Sequence, residues 1–413
     1  MSDISTRSEA VIFVPGLTGA PESARSMAGR LSSELQRISS GKAVLSVTDE
    51  RDHQFGVGCT AKLATIKSAA NGIIPDIDFY YYNYRPILVE QAKNRNPLKK
   101  AFGLLVTLAA TMLRFLAALF KPQRSKGISN KDKLQIFYGL WIVGLMVTGV
   151  LIAAISLYGV SATAISTDLS RNLPDSQWIK SLLTNEYFRH IKNFTVALVP
   201  VLAAIGLTTS SVAKATSSAT DSVEAMMNYF TIGYRKGALT GPLEDLLISV
   251  TKQNYDSVHI FAYSFGSILT LDTLFPRGED RTGSHFNQIN TLVTIGCPFD
   301  LVRFYFPQYF DGRHVSVRTD IRWLNVYAPI DVLGSNFRND AKDEQAEIGI
   351  GTADNTLLPD NLPYLDTLCP GKVSFISILQ LLGLRAHGMY WEETSCSEIS
   401  SFRMVVESMF GKS

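Results

Sequence analysis

The chain has 413 residues, of which 46% are hydrophobic and 18% charged, and its formal net charge is only +2. This length exceeds one ordinary domain, and the near-neutral charge excludes the strong positive field with which nucleic-acid-binding proteins attract phosphates. The four cysteines are dispersed and the six histidines show no metal-ligand spacing, so neither a disulfide framework nor a metal site is indicated.

The first predicted element is a buried strand at 11–14, which a Pro15-Gly16 pair ends. A helix opened by Pro21 follows, and apolar residues at helical spacing form one of its faces: Met27, Leu31, Leu35 and Ile38. Taken alone, Pro-Gly after a strand is an ordinary turn. Beside a nucleophile, the same loop would offer the amide of Leu17 as a hydrogen-bond donor to an oxyanion.

Two more strands are predicted before the middle of the chain, at 43–47 and 76–84. Residues 87–214 then interrupt the α/β pattern with three apolar runs. The runs 136–160 and 194–213 carry no charge, as expected of helices that span a bilayer. The run 101–120 contains Arg114 and a narrow polar stripe, which favours a helix lying in the membrane interface. The alternative is that all three runs are buried helices of a soluble lid.

The most informative segment is 258–267, where a β-branched and aromatic run ends in a small-x-Ser-x-Gly pattern and an apolar helix follows. A sharp strand-to-helix turn exposes a serine Oγ when its flanking residues are small, and here these are Ala262 and Gly266. Ser264 is therefore the candidate nucleophile, and the amide of Phe265 is a candidate oxyanion donor. The alternative interpretation is that Ser264 only caps the helix.

The sheet continues with strands predicted at 292–298, 321–328 and 373–378, the last of which is apolar enough to be a helix instead. Functional groups collect at the carboxyl ends of parallel strands, where Asp331 is the leading candidate acid and Asp300 the alternative. The polar segment 335–370 is predicted to be a surface excursion or flap. His387, which is the histidine nearest the end of the sequence, is the candidate general base because imidazole titrates near neutrality.

These motifs together resemble the α/β-hydrolase superfamily of serine hydrolases, and most of all its lipase-like members such as the GPI inositol-deacylases. The resemblance covers both ends of the chain and not its middle. It implies an α/β fold with a doubly wound, mostly parallel sheet, formed by residues 1–86 and 215–413. Residues 87–214 would be an inserted α-helical membrane region.

The resemblance also implies a role for each site residue: nucleophile for Ser264, base for His387, orienting acid for Asp331, and oxyanion hole for the amides of Leu17 and Phe265. Two positions depart from the family pattern. Ala262 replaces the usual first glycine of the turn, and Pro15 stands where many members have a histidine. Neither change removes a reacting atom.

The membrane topology follows from the requirement that both catalytic parts lie on the same side of the bilayer, so that the number of spans is even. With spans at 136–160 and 194–213, the segment 121–133 lies on the catalytic side and carries five basic residues. The positive-inside tendency makes that side cytoplasmic. The polar N-terminal segment 1–10 is unlike a signal peptide, so the first targeting element would be the internal span.

The sequence therefore predicts a membrane-anchored serine hydrolase that cleaves a carboxylic ester of a membrane lipid, with no metal or organic cofactor. Protein or acyl thioesters and amides are alternative substrates. The alternative from another functional class is a non-catalytic membrane scaffold with the same fold. A role of the insertion as a pore is disfavoured, because the insertion lacks the buried charges that line an ion path. The expected partners are the bilayer and the ester substrate rather than nucleic acid, and the oligomeric state stays open.

Overall fold

A computed structural model of the chain describes residues 8–17, 23–40, 43–69, 74–88, 233–278, 288–306, 308–313, 321–329, 333–340, 344–352, 355–364, 387–391 and 400–410, together with positions 113, 226, 228–231, 286, 331 and 342. The three predicted membrane helices at 101–120, 136–160 and 194–213 lie outside these residues, apart from Leu113, as does the possible strand at 373–378. Within the described part of the chain, no helix has both the length and the hydropathy that crossing a bilayer requires. The membrane insertion stays a prediction.

The strands are β1 (Ser8–Val14), β2 (Leu45–Val47), β3 (Arg51–Phe55), β4 (Cys59–Ser68), β5 (Asp76–Tyr81), β6 (Ser257–Tyr263), β7 (Ile289–Ile295), β8 (Arg322–Tyr327), β9 (Ile350–Thr352), β10 (Asn355–Leu357) and β11 (Asp360–Pro363). The helices are α1 (Ala24–Ile38), α2 (Gly233–Thr251), α3 (Phe265–Leu274), α4 (Phe299–Tyr305) and α5 (Ser401–Phe410), and a 3-10 turn spans Met389–Trp391.

The described strands build a mixed, mostly parallel sheet in the order β11-β8-β7-β6-β1-β5-β4-β2, with β3 paired to β4. The strands from β11 to β5 are mutually parallel, and the β2, β3 and β4 pairings are antiparallel. The α/β class and the mostly parallel sheet predicted from the sequence are confirmed. Strands β1 and β6 are neighbours in its middle, with Val14 opposite Ala262. The carboxyl ends of these two strands therefore lie side by side.

Strand β1 shows that both faces of the sheet are buried. Val11 and Phe13, which alternate with Ile12 and Val14, belong to a core that includes residues of α1 and α5. Ile12 and Val14 are equally buried. Because successive side chains on a strand point to opposite faces, both faces of the sheet are covered at this strand. Such a strand reads as a continuous apolar run in the sequence.

Helix α1 begins at Ala24 because the Ser23 side chain accepts a hydrogen bond from the amide of Ser26 at 3.1 Å. The predicted apolar face is confirmed: three of its members are buried and the fourth is partly buried against the same core, namely Met27, Leu31, Leu35 and Ile38. The helix therefore packs on the sheet directly after the Pro15-Gly16 loop.

The prediction of a surface excursion at 335–370 is wrong in two places. Strand β11 pairs in parallel with β8 as part of the main sheet, and Ser335 and Phe337 are completely buried. The hairpin of β3 and β4 was not predicted.

The chain divides into two compact units. One comprises Met1–Ile87, Ala118–Tyr138 and Ile232–Ser413, and the other comprises Leu88–Ala117 and Gly139–Thr231. The two ends of the chain thus belong to one unit. The domain boundaries predicted at 86/87 and 214/215 stay predictions.

Candidate active site

The turn between β6 and α3 holds Ser264 in a backbone conformation that non-glycine residues rarely adopt, with φ 55° and ψ −126°. The amide of Ser264 donates to the carbonyl of Ile295 at 2.8 Å, which ties the turn to the end of β7. Gly266 is required here, since a Cβ at this position would lie 2.4 Å from the carbonyl oxygens of both Val14 and Pro15. The small residue that the sequence pattern demanded thus lets helix α3 approach the end of β1.

The Pro15-Gly16 loop lies against this turn. A Cβ on Gly16 would come within 2.8 Å of Ser264 Cβ and 2.9 Å of Tyr263 Cδ1. Leu17 follows Gly16 directly, and Phe265 follows Ser264 directly, so the two predicted oxyanion donors belong to the two segments in closest contact. Arg85 fixes the loop by donating from Nε to the carbonyl of Gly16 at 3.2 Å.

Three residues predicted from distant parts of the sequence come together at the turn. His387 Nε2 lies 2.6 Å from Ser264 Oγ, and His387 Nδ1 lies 2.9 Å from Asp331 Oδ2. Because a carboxylate can only accept, Nδ1 carries the proton and Nε2 is left to accept from the serine hydroxyl. The relative exposure is 5% for His387 and 4% for Asp331, so the hydrogen bond between them is sheltered from water. The hydrogen bond from His387 to Ser264 is only partly buried.

Asp331 is held by donors on both of its oxygens. The amide of Leu333 donates to Oδ1 at 2.9 Å, and Tyr390 Oη donates to Oδ2 at 2.9 Å. The same Tyr390 oxygen accepts from the amide of Ala328 at 2.8 Å. Burial, reinforced by the nearby Asp331 charge, raises the pKa of Tyr390 well above its usual value, so the phenol remains a donor. Gly334 is needed because a Cβ there would lie 2.7 Å from Asp331 Oδ2.

The imidazole of His387 is oriented by Tyr263, the last residue of β6. The two rings stack with centroids 5.2 Å apart and planes inclined by 22°, and Tyr263 Oη donates to the carbonyl of His387. On another side of the ring, a Cβ on Gly296 would lie 3.1 Å from His387 Cε1. The ring orientation is therefore set by packing as well as by the two hydrogen bonds.

The alternative acid, Asp300, has a different place. It lies in the first turn of α4, and its carboxylate accepts from Ser335 Oγ while Oδ1 lies 3.7 Å from Arg303 Nη1. Ser335 belongs to the segment that follows Asp331, so Asp300 anchors that segment. The geometry favours Asp331 over Asp300 as the partner of His387.

Sequence reasoning missed three residues that support the site: Tyr263, Tyr390 and Arg85. Tyr390 could have been found, because it lies three residues after His387 and would share a face with it on a helical turn. Arg85 carried no local signal, since its contact with Gly16 depends on the pairing of β1 with β5. Among the residues described, no group of three or more His, Cys, Asp or Glu side chains is placed to hold a metal ion.

Comparisons with protein-family models, with curated proteins and with solved structures found no match to this chain. A serine that donates to a histidine, which a buried carboxylate orients, is an arrangement suited to nucleophilic acyl transfer, and it recurs on unrelated folds.

Proposed function

We propose that the protein is a serine hydrolase that cleaves a carboxylic ester through an acyl-enzyme, on an α/β-hydrolase type of doubly wound sheet. The observation that carries the proposal is the chain of hydrogen bonds from Ser264 Oγ to His387 Nε2 at 2.6 Å and from His387 Nδ1 to Asp331 Oδ2 at 2.9 Å. The strained serine conformation and the Gly16 and Gly266 contacts support it, because they place the hydroxyl at the carboxyl edge of a parallel sheet.

In the proposed mechanism, Ser264 Oγ attacks the ester carbonyl carbon while His387 Nε2 takes the hydroxyl proton. The carbonyl oxygen becomes an oxyanion, which the amides of Leu17 and Phe265 stabilise. His387 then returns the proton to the departing alkoxide, and the alcohol leaves. Water, deprotonated by the same nitrogen, attacks the acyl-enzyme and releases the carboxylic acid and the free serine. Asp331 stabilises the imidazolium in both steps.

The proposed substrate is an ester of a membrane lipid, with protein or acyl thioesters and amides as alternatives. The support is the apolar sequence of the insertion at 87–214, which would hold the catalytic unit at a bilayer, on its cytoplasmic side. Lateral diffusion would then deliver lipids and acylated proteins to the serine. Resistance of the protein to alkaline carbonate extraction from membranes is the expected result, and full release would contradict the anchoring.

The catalytic proposal is tested by fluorophosphonate labelling of the full-length protein in membranes, comparing the wild type with Ser264→Ala and His387→Ala. Labelling requires an activated serine, so we expect it to be lost in both variants. Matched controls are Ser46→Ala, which removes an exposed hydroxyl on β2, and His53→Ala, whose imidazole pairs with Ser249 Oγ. Both controls should label like the wild type.

Failure of the folded wild type to label would contradict the hydrolase and favour a non-catalytic scaffold. If labelling is confirmed, fatty-acid release from lipid vesicles and thiol release from acyl thioesters identify the substrate class.

A further inference from the structure

Two consecutive residues beside the Pro15-Gly16 loop each bury a polar group that has no hydrogen-bond partner in the described part of the chain. Tyr84 is 0% exposed, and its Oη is unpaired. The Nη2 atom of Arg85 is likewise buried and unpaired, although Nε of the same guanidinium is bonded. Buried donors almost always find an acceptor, because leaving one without a partner is costly. Two such donors in adjacent residues need a common explanation.

Both residues lie beside the segments that carry the two proposed oxyanion donors, Leu17 and Phe265. Arg85 Nε donates to the carbonyl of Gly16, where an added Cβ would lie 2.8 Å from Ser264 Cβ. The ring of Tyr84 lies 6.1 Å from the ring of Phe265. Burial raises the pKa of Tyr84, while the charge of Arg85 acts in the opposite direction. The two residues follow β5 at its carboxyl end, next to β1. Substrate groups bind at this edge in parallel sheets.

We propose that Tyr84 Oη and Arg85 Nη2 form a subsite for an anionic oxyacid group of the substrate, such as the phosphate of an acidic lipid ester. A guanidinium N–H and a phenol O–H are both donors, and a phosphate or carboxylate oxygen accepts from both at once. Because burial keeps the Tyr84 phenol protonated, it donates to an anion rather than repelling it. This inference rests on the proposed function and narrows its substrate class to acidic esters.

The competing explanation is that Arg85 only holds Gly16 in place and that the Tyr84 hydroxyl is simply unpaired. The two explanations differ in what Tyr84→Phe does. This variant keeps the ring against Phe265 and removes only the hydroxyl. If the hydroxyl is unpaired in the working enzyme, selectivity for anionic substrates is unchanged. If it binds an anion, that selectivity falls.

The test compares hydrolysis of phosphatidic acid with hydrolysis of diacylglycerol in vesicles whose surface charge is equalised with a non-hydrolysable ether phosphatidic acid. We expect a wild-type preference for phosphatidic acid, expressed as a ratio of kcat/KM values. The ratio should fall about tenfold to hundredfold in Arg85→Gln, as for loss of one charge-assisted hydrogen bond, and less in Tyr84→Phe. Lys67→Gln, which removes an exposed charge from β4, is the matched control and should leave the ratio unchanged.

A second measurement separates this proposal from the catalytic one. Inorganic phosphate is titrated calorimetrically into Ser264→Ala protein, with and without Arg85→Gln or Tyr84→Phe. Phosphate binding that both substitutions weaken, in a protein whose folded wild type does not label with fluorophosphonate, would support an anion site and contradict the hydrolase. It would also identify a free phosphate as the ligand. Ester hydrolysis with a ratio unchanged in Arg85→Gln and Tyr84→Phe would retain the hydrolase and overturn the subsite.

Discussion

Gly16→Ala is expected to disable the proposed hydrolase by displacing Ser264, the proposed nucleophile, without removing any reacting group. The added Cβ would lie 2.8 Å from Ser264 Cβ and 2.9 Å from Tyr263 Cδ1, whereas carbon atoms pack best at about 3.5 to 4.0 Å. The loop and the turn must therefore separate by roughly 0.7 Å at the least. A misplacement near 1 Å costs about a hundredfold in rate, so we expect a similar loss in kcat/KM. Overpacking should lower the free energy of unfolding by about 1 to 3 kcal/mol.

The assay is the rate of fluorophosphonate labelling, followed by hydrolysis of a soluble ester, with urea unfolding to confirm that the variant is folded. Gly29→Ala is the matched control, because a Cβ at this position in α1 meets nothing within 4 Å. Alanine should there preserve activity and add about 0.5 to 1 kcal/mol of stability. A folded Gly16→Ala protein that labels at the wild-type rate would refute the inference that this loop adjoins the nucleophile.

Three more predictions concern the acid and its support. Asp331→Asn should reduce kcat by roughly ten-thousand-fold through loss of the correct histidine tautomer, whereas Asp300→Asn should reduce it less than about tenfold, in a comparison of purified variants; the reverse ranking would exchange their roles. Tyr390→Phe leaves the buried amide of Ala328 without its acceptor, so urea unfolding should show that the free energy of unfolding falls by about 1 to 3 kcal/mol. The value of kcat should fall while KM is little changed. An unchanged free energy of unfolding would contradict the hydrogen bond to Ala328. Burial raises the folded-state pKa of Tyr84, Tyr263 and Tyr390 above the ordinary value near 10.0. Their contribution to stability is therefore complete below pH 10 and is lost as the pH rises above it. Phenolate absorbance should appear together with unfolding, and gradual ionisation of the folded protein would contradict the burial of these three tyrosines.

The sequence predicted those segments in which burial of apolar side chains dominates. Strands β1, β6 and β7 are buried on both faces over most of their length and are rich in apolar residues, and α1 shows its apolar stripe. The hairpin of β3 and β4 was missed because β3, with the sequence R-D-H-Q-F, is mostly exposed and polar. Its pairing depends on backbone hydrogen bonds to a neighbour, which side-chain patterns do not reveal.

The segment after Asp331 was predicted incorrectly in part because some of its polar residues, such as Ser335 and Asn361, are buried, although others, such as Glu344 and Asp360, are exposed. Asn325 Nδ2 donates to the carbonyl of Ser335 at 2.8 Å and to Asn361 Oδ1 at 3.0 Å. Asn361 Nδ2 in turn donates to the carbonyl of Asn336 at 2.7 Å. Polarity at 335–370 predicted exposure, but these amides satisfy an irregular backbone in the interior. Composition alone does not distinguish a solvated loop from one that is held by buried amides.

The same buried amides explain how residues far apart in sequence form a site. Ser264 and Leu17 are placed by neighbouring strands, so strand order alone brings them together, and the sequence motifs were sufficient. Asp331 instead follows a strand two places away from β6 and has to reach back toward His387. Its position depends on Ser335, which Asp300 and the Asn325 amide hold from two sides. Ser264 could therefore be selected as the candidate nucleophile from local motifs, whereas the choice between the two carboxylates required the three-dimensional network.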